Sequence, residues 1–127
     1  ALAHLKPVAH SRVLDLGCGA GHASFAAASM ANEVVAYDIS AEMLDVVAGA
    51  ARDRGLANVK TQQGAAESLP FEDASFCAVV SRMSAHHWRD VPAALREMRR
   101  VLKPNGKVVL IAGGAGPETF SRMNSET

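Results

Sequence analysis

The chain has 127 residues, 49% of them apolar, enough to bury a core and consistent with one domain. Its 13 basic and 13 acidic residues cancel, so the overall balance gives no electrostatic ground for a nucleic-acid or acidic-membrane partner. Cys18 and Cys77 lie far apart in apolar or glycine-rich surroundings, without disulfide framework or zinc spacing; no metal is expected, and a reducing cytoplasm fits. There is no apolar run of about eighteen residues and no signal-peptide pattern, so neither a membrane span nor export is expected.

The first strand is predicted at Arg12–Leu16 and runs into Gly17-Cys18-Gly19-Ala20-Gly21. Glycine at alternate positions lets the chain turn sharply and lets a ligand approach bare backbone. An alanine-rich helix over His22–Ala31 follows, and its first turn points free N–H groups and a positive dipole end at that loop. The second strand, Glu33–Tyr37, ends in Asp38, a carboxylate placed to accept hydrogen bonds from a ribose. Ser40 then caps a helix over Ala41–Arg54 that stops at Gly55, with Leu44, Val47, Ala48 and Ala51 on one face.

Val59–Gln62 and Phe76–Ser81 read as the third and fourth strands. A last helix, Val91–Leu102, follows the cap Asp90 and lines up Val91, Ala94, Leu95, Met98 and Leu102. Arg96, Arg99, Arg100 and Lys103 form its solvated face and complement its dipole. Pro104-Asn105-Gly106 then turns the chain into a fifth strand, Lys107–Ala112. Most of these strands are continuous apolar runs, as parallel strands covered on both faces require. Strict alternation with helices predicts an α/β fold with right-handed crossovers, binding its ligand at the carboxyl ends of the strands. Asp15–Gly21, Asp38, Gly64–Glu67 and Ser81 all fall at that edge; no repeat or second domain is visible.

The glycine spacing narrows the ligand. A dinucleotide fingerprint requires G-x-G-x-x-G, with the third glycine allowing close helix–strand packing. Here the third glycine, Gly21, comes one residue early, His22 takes its place, and Asp15 precedes the first glycine. A glycine loop by itself also reads as a plain strand-to-helix turn. Together with Asp15 and Asp38 in register, this D-x-G-x-G-x-G run resembles motif I of the class I S-adenosylmethionine-dependent methyltransferases. The resemblance extends over Asp38-Ile39-Ser40-Ala41-Glu42-Met43-Leu44, Gln63 to Phe71, Phe76 to Ser81 and Leu95 to Gly106, nearly residues 5–112. It is nearest to the small-molecule branch that includes the ubiquinone and menaquinone methyltransferases.

That resemblance implies a Rossmann-like three-layer sandwich with a mainly parallel sheet in order 3-2-1-4-5. Family members continue into two more strands and begin with a helix that lids the cofactor. The chain therefore reads as one methyltransferase domain over residues 1–127, truncated at both ends and lacking the last two strands. Its fifth strand would then be an exposed edge prone to homodimer formation. S-adenosyl-L-methionine is the implied cofactor and S-adenosyl-L-homocysteine the implied product. The implied cofactor-binding residues are Asp15, Gly17, Cys18, Gly19, Gly21, His22, Asp38, Ile39, Met43, Ala65, Ala66, Glu67 and Ser81. Among them Asp38 would take the ribose hydroxyls, and Ile39 and Met43 would cover the adenine. Ala65 stands where many members carry an aspartate for the adenine amino group, which leaves that contact to the Ala66 backbone and to hydrophobic cover. Cys77 replaces a common aspartate in the fourth strand.

In such a reaction the cofactor carries the hard chemistry, and the protein aligns donor and acceptor and excludes water. No nucleophilic triad is needed and none is visible. His86 and His87 are the catalytic candidates, as general bases for an acceptor that must lose a proton; the competing reading packs one beside Trp88 and leaves the other in solvent. His22 could contact the cofactor's carboxylate end or simply be exposed. Asp15 reads as a brace for the glycine loop with indirect contact to the methionyl amine. Arg82 could hold an anionic acceptor, with a surface ion pair as the default. Ser81-Arg82-Met83-Ser84 is unlike the Asn/Asp-Pro-Pro-Tyr/Phe of amino-methyltransferases acting on adenine or glutamine, so a small-molecule acceptor is expected. The alternatives are a non-catalytic S-adenosylmethionine-binding core and, more weakly, a nucleotide-linked dehydrogenase.

Overall fold

A computed structural model describes residues 11–18, 21–82, 89–111 and 117–120. Its elements run β1 (Arg12–Leu16), α1 (His22–Ala28), β2 (Glu33–Asp38), α2 (Ala41–Asp53), β3 (Val59–Gln63), β4 (Phe76–Arg82), α3 (Val91–Val101), β5 (Leu102–Ile111) and β6 (Pro117–Phe120). They build one sheet in the order β3-β2-β1-β4-β5-β6. The first five strands are mutually parallel in the expected order 3-2-1-4-5, and β6 runs antiparallel to β5.

The layers follow from side-chain alternation along the strands. Leu14, Leu16, Val35, Tyr37, Phe76, Val79 and Val108 face α3, where they pack with Ala94, Met98, Val101 and Leu102. The other face of β2 carries Val34 and Ala36, covered by residues of α1 and α2. Among the described residues no helix is long and apolar enough to cross a membrane.

Three elements differ from expectation. The edge of β5, expected to be bare, is paired by β6 through Val108↔Phe120, Val109↔Thr119, Leu110↔Glu118 and Ile111↔Pro117. Among the described residues the sheet thus has six strands, the five expected parallel ones and the added β6, and the argument for dimerisation through an open β5 edge falls. Helix α1 stops at Ala28 instead of Ala31 because the chain must turn into β2. Asn58 donates from Nδ2 to the Ala28 and Ala31 carbonyls at 2.8 and 3.0 Å and satisfies that frayed end. Finally, β5 begins at Leu102, directly after α3. Leu102 pairs with Phe76 and Lys107 with Ala78, so Lys103–Gly106 form an irregular excursion within the strand instead of a turn before it.

On α2 the buried stripe is Leu44, Val47 and Ala51, while Ala48, expected on the same face, is exposed. Ser40 caps the helix by accepting from Met43 N–H at 3.2 Å. On α3 the buried positions are Ala94, Met98 and Val101, and Asp90 caps it by accepting from Ala93 N–H at 3.0 Å.

Candidate functional site

The carboxyl edge of the sheet is assembled by register. Leu16 on β1 is level with Tyr37 on β2 and with Ser81 on β4, so the chain leaves the three central strands at one height. Beyond Leu16 the chain turns at once. Gly17 has φ of 72° and Gly21 of 91°, left-handed values that side chains rarely adopt. The N–H groups of Gly17 and Cys18 both donate to the Tyr37 carbonyl, at 2.8 and 3.0 Å, which fastens the glycine turn to the end of β2. Gly21 is excluded from bearing a side chain on a second ground: a Cβ there would lie 3.0 Å from both Phe25 Cζ and Val47 Cγ2.

Asp15 lies in the floor of this edge, 2% exposed. Its Oδ2 accepts from the buried Ser24 hydroxyl on α1 at 2.7 Å. This bond ties β1 to α1 across the turn. Asp38 stands at the rim, where its Oδ1 accepts from Ser40 N–H at 2.9 Å and directs the chain into α2. Both carboxylates act on Cys18. Burial first, and then the charges of Asp15 and Asp38, push its thiol up to about 12, so it stays protonated and is no nucleophile at neutral pH.

The second wall of the edge is the segment after β3. Gly64 N–H donates to the Asp38 carbonyl at 3.0 Å, and Gln63 Nε2 to the Ile39 carbonyl at 3.1 Å. The Tyr37 hydroxyl donates to the Ala65 carbonyl at 2.8 Å. Burial, then the charges of Glu67 and Glu97, push that phenol up to about 12, which keeps it a donor. Gly64 is needed here because a Cβ would run into the Tyr37 ring. Ala66 is buried against the core, and Glu67 accepts at Oε2 from the N–H groups of Arg89 and Asp90 at 2.6 and 3.2 Å.

The remaining candidates divide clearly. Ile39 is 70% exposed beside Asp38, Met43 is half-buried on the first turn of α2, and His22 is exposed at the first turn of α1. Ser81 is fully buried at the end of β4. Gly19, His86 and His87 lie outside the described residues. Asp15, Gly17, Cys18, Asp38 and Ala65 are therefore linked directly or through Tyr37 into one constellation.

Four residues that serve this edge were not anticipated. Ser24 is the one polar side chain on the buried face of α1. Tyr37 connects the glycine turn to the Ala65 loop. Glu97 accepts from Leu69 N–H at 2.8 Å, and Arg100 donates to the Leu69 and Phe71 carbonyls and to Asp73. Arg100 is thereby corrected from a solvated helix residue to a clamp, and Glu97 completes it with bonds to its Nε and Nη2 at 2.9 and 3.0 Å.

At the opposite end of the sheet a depression of about 530 Å³ is lined by Arg12, Asn32, Glu33, Ala57, Asn58 and Lys60. Its polar groups serve the fold: Arg12 pairs with Glu33 at 2.8 Å, and Asn58 closes α1.

Comparison with known proteins agrees with this geometry. Residues 14–110 match the methyltransferase domain family. The chain is 57% identical over 95 residues to the Escherichia coli (strain K12) protein YafE, covering 75% of this chain and 46% of that one. It is 40% identical over 118 residues to the demethylmenaquinone methyltransferase of Clavibacter sepedonicus, covering 93% and 47% respectively. The crystal structure of the Bacillus subtilis YcgJ protein superposes with a TM-score of 0.77 at 43% identity, over 86% of this chain and 47% of that one. The chain thus spans less than half the length of these relatives. With a glycine turn, a strand-end carboxylate and the 3-2-1-4-5 sheet all in register, the chain belongs to the methyltransferase domain family.

Proposed function

We propose that this chain binds S-adenosyl-L-methionine at the carboxyl edge of its sheet and serves methyl transfer to a small-molecule acceptor. The observation that carries the proposal is the pair of carboxylates on either side of Tyr37: Asp15 in the floor and Asp38 at the rim, with the glycine turn bound to the Tyr37 carbonyl between them. A nucleoside with a vicinal diol and a cationic tail matches an edge of that charge, whereas a triphosphate would meet like charge. The short third-glycine spacing argues the same way against a dinucleotide.

When bound, S-adenosylmethionine supplies an electrophilic methyl on a positively charged sulfur. The chain's own groups then bind and align. Asp38 accepts the ribose hydroxyls, for which a carboxylate has several lone-pair positions. Ile39 and Met43 cover the base, and the backbone of Ala65, Ala66 and Glu67 takes its edge. Gly17, Cys18, Gly19 and Gly21 allow close approach of the tail, with His22 at the mouth of the turn and Ser81 in the buried end of β4. Cys18, held as a neutral thiol and buried against Ala36, Leu44 and Val47, offers no nucleophile of its own. His86 and His87 are the general-base candidates for acceptors that must lose a proton. The demethylmenaquinone methyltransferase relative supports a quinol-like acceptor as the first class to try.

Thermal shift and calorimetry with S-adenosylhomocysteine, NAD and ATP test the proposal. S-adenosylhomocysteine alone is expected to bind and raise the melting temperature. Stabilisation by NAD without a response to S-adenosylhomocysteine would overturn it. A methyl-release assay on quinols, phenols and amines separates turnover from cofactor binding alone.

A further inference from the structure

The segment after β3 is fastened to α3 at two separate places. The Glu97–Arg100 clamp holds Leu69 and Phe71 near the end of the helix. At the helix start, Glu67 Oε2 accepts the N–H groups of Arg89 and Asp90. Asp90 is the residue that caps α3, so Glu67 holds the two backbone positions that lead into the helix. Desolvation opposes the charge on Glu67, but the N–H groups of Asp90, Glu67 itself and Arg89 prevail and hold its carboxyl below the usual glutamate range.

The clamp at Leu69 would suffice to dock the segment; the Glu67 bond adds something different. Ala65, Ala66 and Glu67 are consecutive, and Ala65 is fixed to Tyr37 beside Asp38. No spacer separates the proposed base-binding backbone from the carboxylate that grips the start of α3. We infer that Glu67 is a positioning residue: its side chain couples occupation of the cofactor edge to the order of the α3 N-terminus through the backbone of Arg89 and Asp90. This rests on the S-adenosylmethionine reading of the edge.

The physical basis is shared ordering entropy. A ligand that fixes Ala65 and Ala66 leaves Glu67 less freedom to lose in holding Arg89 and Asp90, so the bond is made more of the time. Coupling of this kind is reciprocal, so a firmer α3 start also strengthens ligand binding.

Amide hydrogen exchange on the wild-type chain, Glu67→Ala and Glu67→Gln, with and without S-adenosylhomocysteine, tests the inference alongside calorimetric Kd. In the wild type, ligand is expected to slow exchange at Arg89 and Asp90 by about two- to fivefold, the factor that linkage also sets for affinity. In Glu67→Ala both amides exchange fast with or without ligand, and Kd weakens by about two- to fivefold, the reciprocal share of the coupling. Glu67→Gln falls between, because its carbonyl still accepts but carries no charge. Exchange in β1 and α2 stays unchanged in both variants, which a general loss of structure would not allow. Ligand binding to the wild type without slowing at Arg89 and Asp90 overturns the coupling alone, as does ligand-induced slowing that survives in Glu67→Ala. Failure of the wild type to bind S-adenosylhomocysteine removes the cofactor reading and the coupling with it.

Discussion

The two walls of the proposed cofactor edge are built by different means. The wall formed by β1, the glycine turn and the start of α2 is held largely through backbone N–H groups: those of Gly17 and Cys18 on the Tyr37 carbonyl, and that of Ser40 on the Asp38 carboxylate. The wall formed by Gly64–Phe71 is held largely by side chains from other elements, namely Tyr37, Glu97 and Arg100. A backbone-built wall needs no particular side chain at its partner, because any residue at position 37 offers the same carbonyl; it is specified by the glycines of the turn, and its conformation tolerates few substitutes. A side-chain-built wall depends on residues twenty-eight or more positions away in sequence and can be weakened by degrees. Variants in the first wall should accordingly act sharply, and those in the second gradually.

The largest effect is expected at Gly21. Gly21→Ala places a side chain at φ of 91° and 3.0 Å from Phe25 and Val47. The left-handed backbone costs roughly 1–2 kcal/mol and the overpacking about the same again. Urea denaturation is expected to report a loss of about 2–4 kcal/mol; a stability equal to wild type would mean that the turn is soft and the contrast between the walls false.

Asp38→Ala should act on ligand rather than fold. It removes hydrogen bonds to a charged acceptor, worth roughly 1.5–3 kcal/mol, or about ten- to a hundredfold in S-adenosylhomocysteine affinity. Ser40 still caps α2 through Met43 N–H, so the melting temperature without ligand is expected to fall only slightly. Undiminished affinity by calorimetry would remove Asp38 from the site.

The side-chain wall has a pH signature. The Arg100 hydrogen bonds first, and Leu69 N–H in addition, hold the Glu97 carboxyl below its ordinary value of 4.5 despite desolvation. A carboxyl depressed by folding stabilises the fold fully above its unfolded value, and that contribution is lost as pH falls through the folded one. Arg100→Ala is expected to cost about 2 kcal/mol at pH 7, and Glu97→Gln to flatten the decline in stability between about pH 5 and 3. Urea midpoints across that range check both; parallel curves for wild type and Glu97→Gln would assign the acid sensitivity elsewhere.

The same contrast decides what could be read in the sequence. The turn, the strand-end carboxylate, the Ser40 cap and the parallel α/β alternation are written in adjacent residues, through glycine spacing, apolar runs and helix caps; the order of the five parallel strands was implied by the family resemblance. What was missed is non-local. Arg100 reads as one more cation on a polar helix face, and nothing near it announces Leu69 or Phe71. Ser24 was the one available clue, a hydroxyl on the buried face of an alanine-rich helix. Pro117–Phe120 is four residues following a glycine-rich run, and its pairing with β5 is tertiary; a short edge strand beginning with proline carries almost no local signal. His86 and His87 lie outside the described residues, and their role rests on sequence reasoning.

The smallest effect separates the walls most finely. Tyr37 belongs to both: its carbonyl holds the glycine turn, and its hydroxyl holds Ala65. Tyr37→Phe leaves the carbonyl and the ring, including the edge-on contact with Phe71 at 5.7 Å between centroids, and deletes only the hydroxyl's bonds, to the Ala65 carbonyl at 2.8 Å and, more weakly, to that of Ser68 at 3.5 Å. Water can reach the half-buried Ala65, so the net loss should be about 1 kcal/mol. If the loop's backbone receives the adenine, most of that loss appears in binding, as a two- to fivefold weaker affinity for S-adenosylhomocysteine with roughly unchanged stability. The wild-type phenol is pushed up to about 12, so the difference between the two proteins should be constant from about pH 6 to 9. A variant that loses stability but binds as before would show that the Glu97–Arg100 clamp positions the loop unaided, and that Tyr37 serves the backbone wall alone.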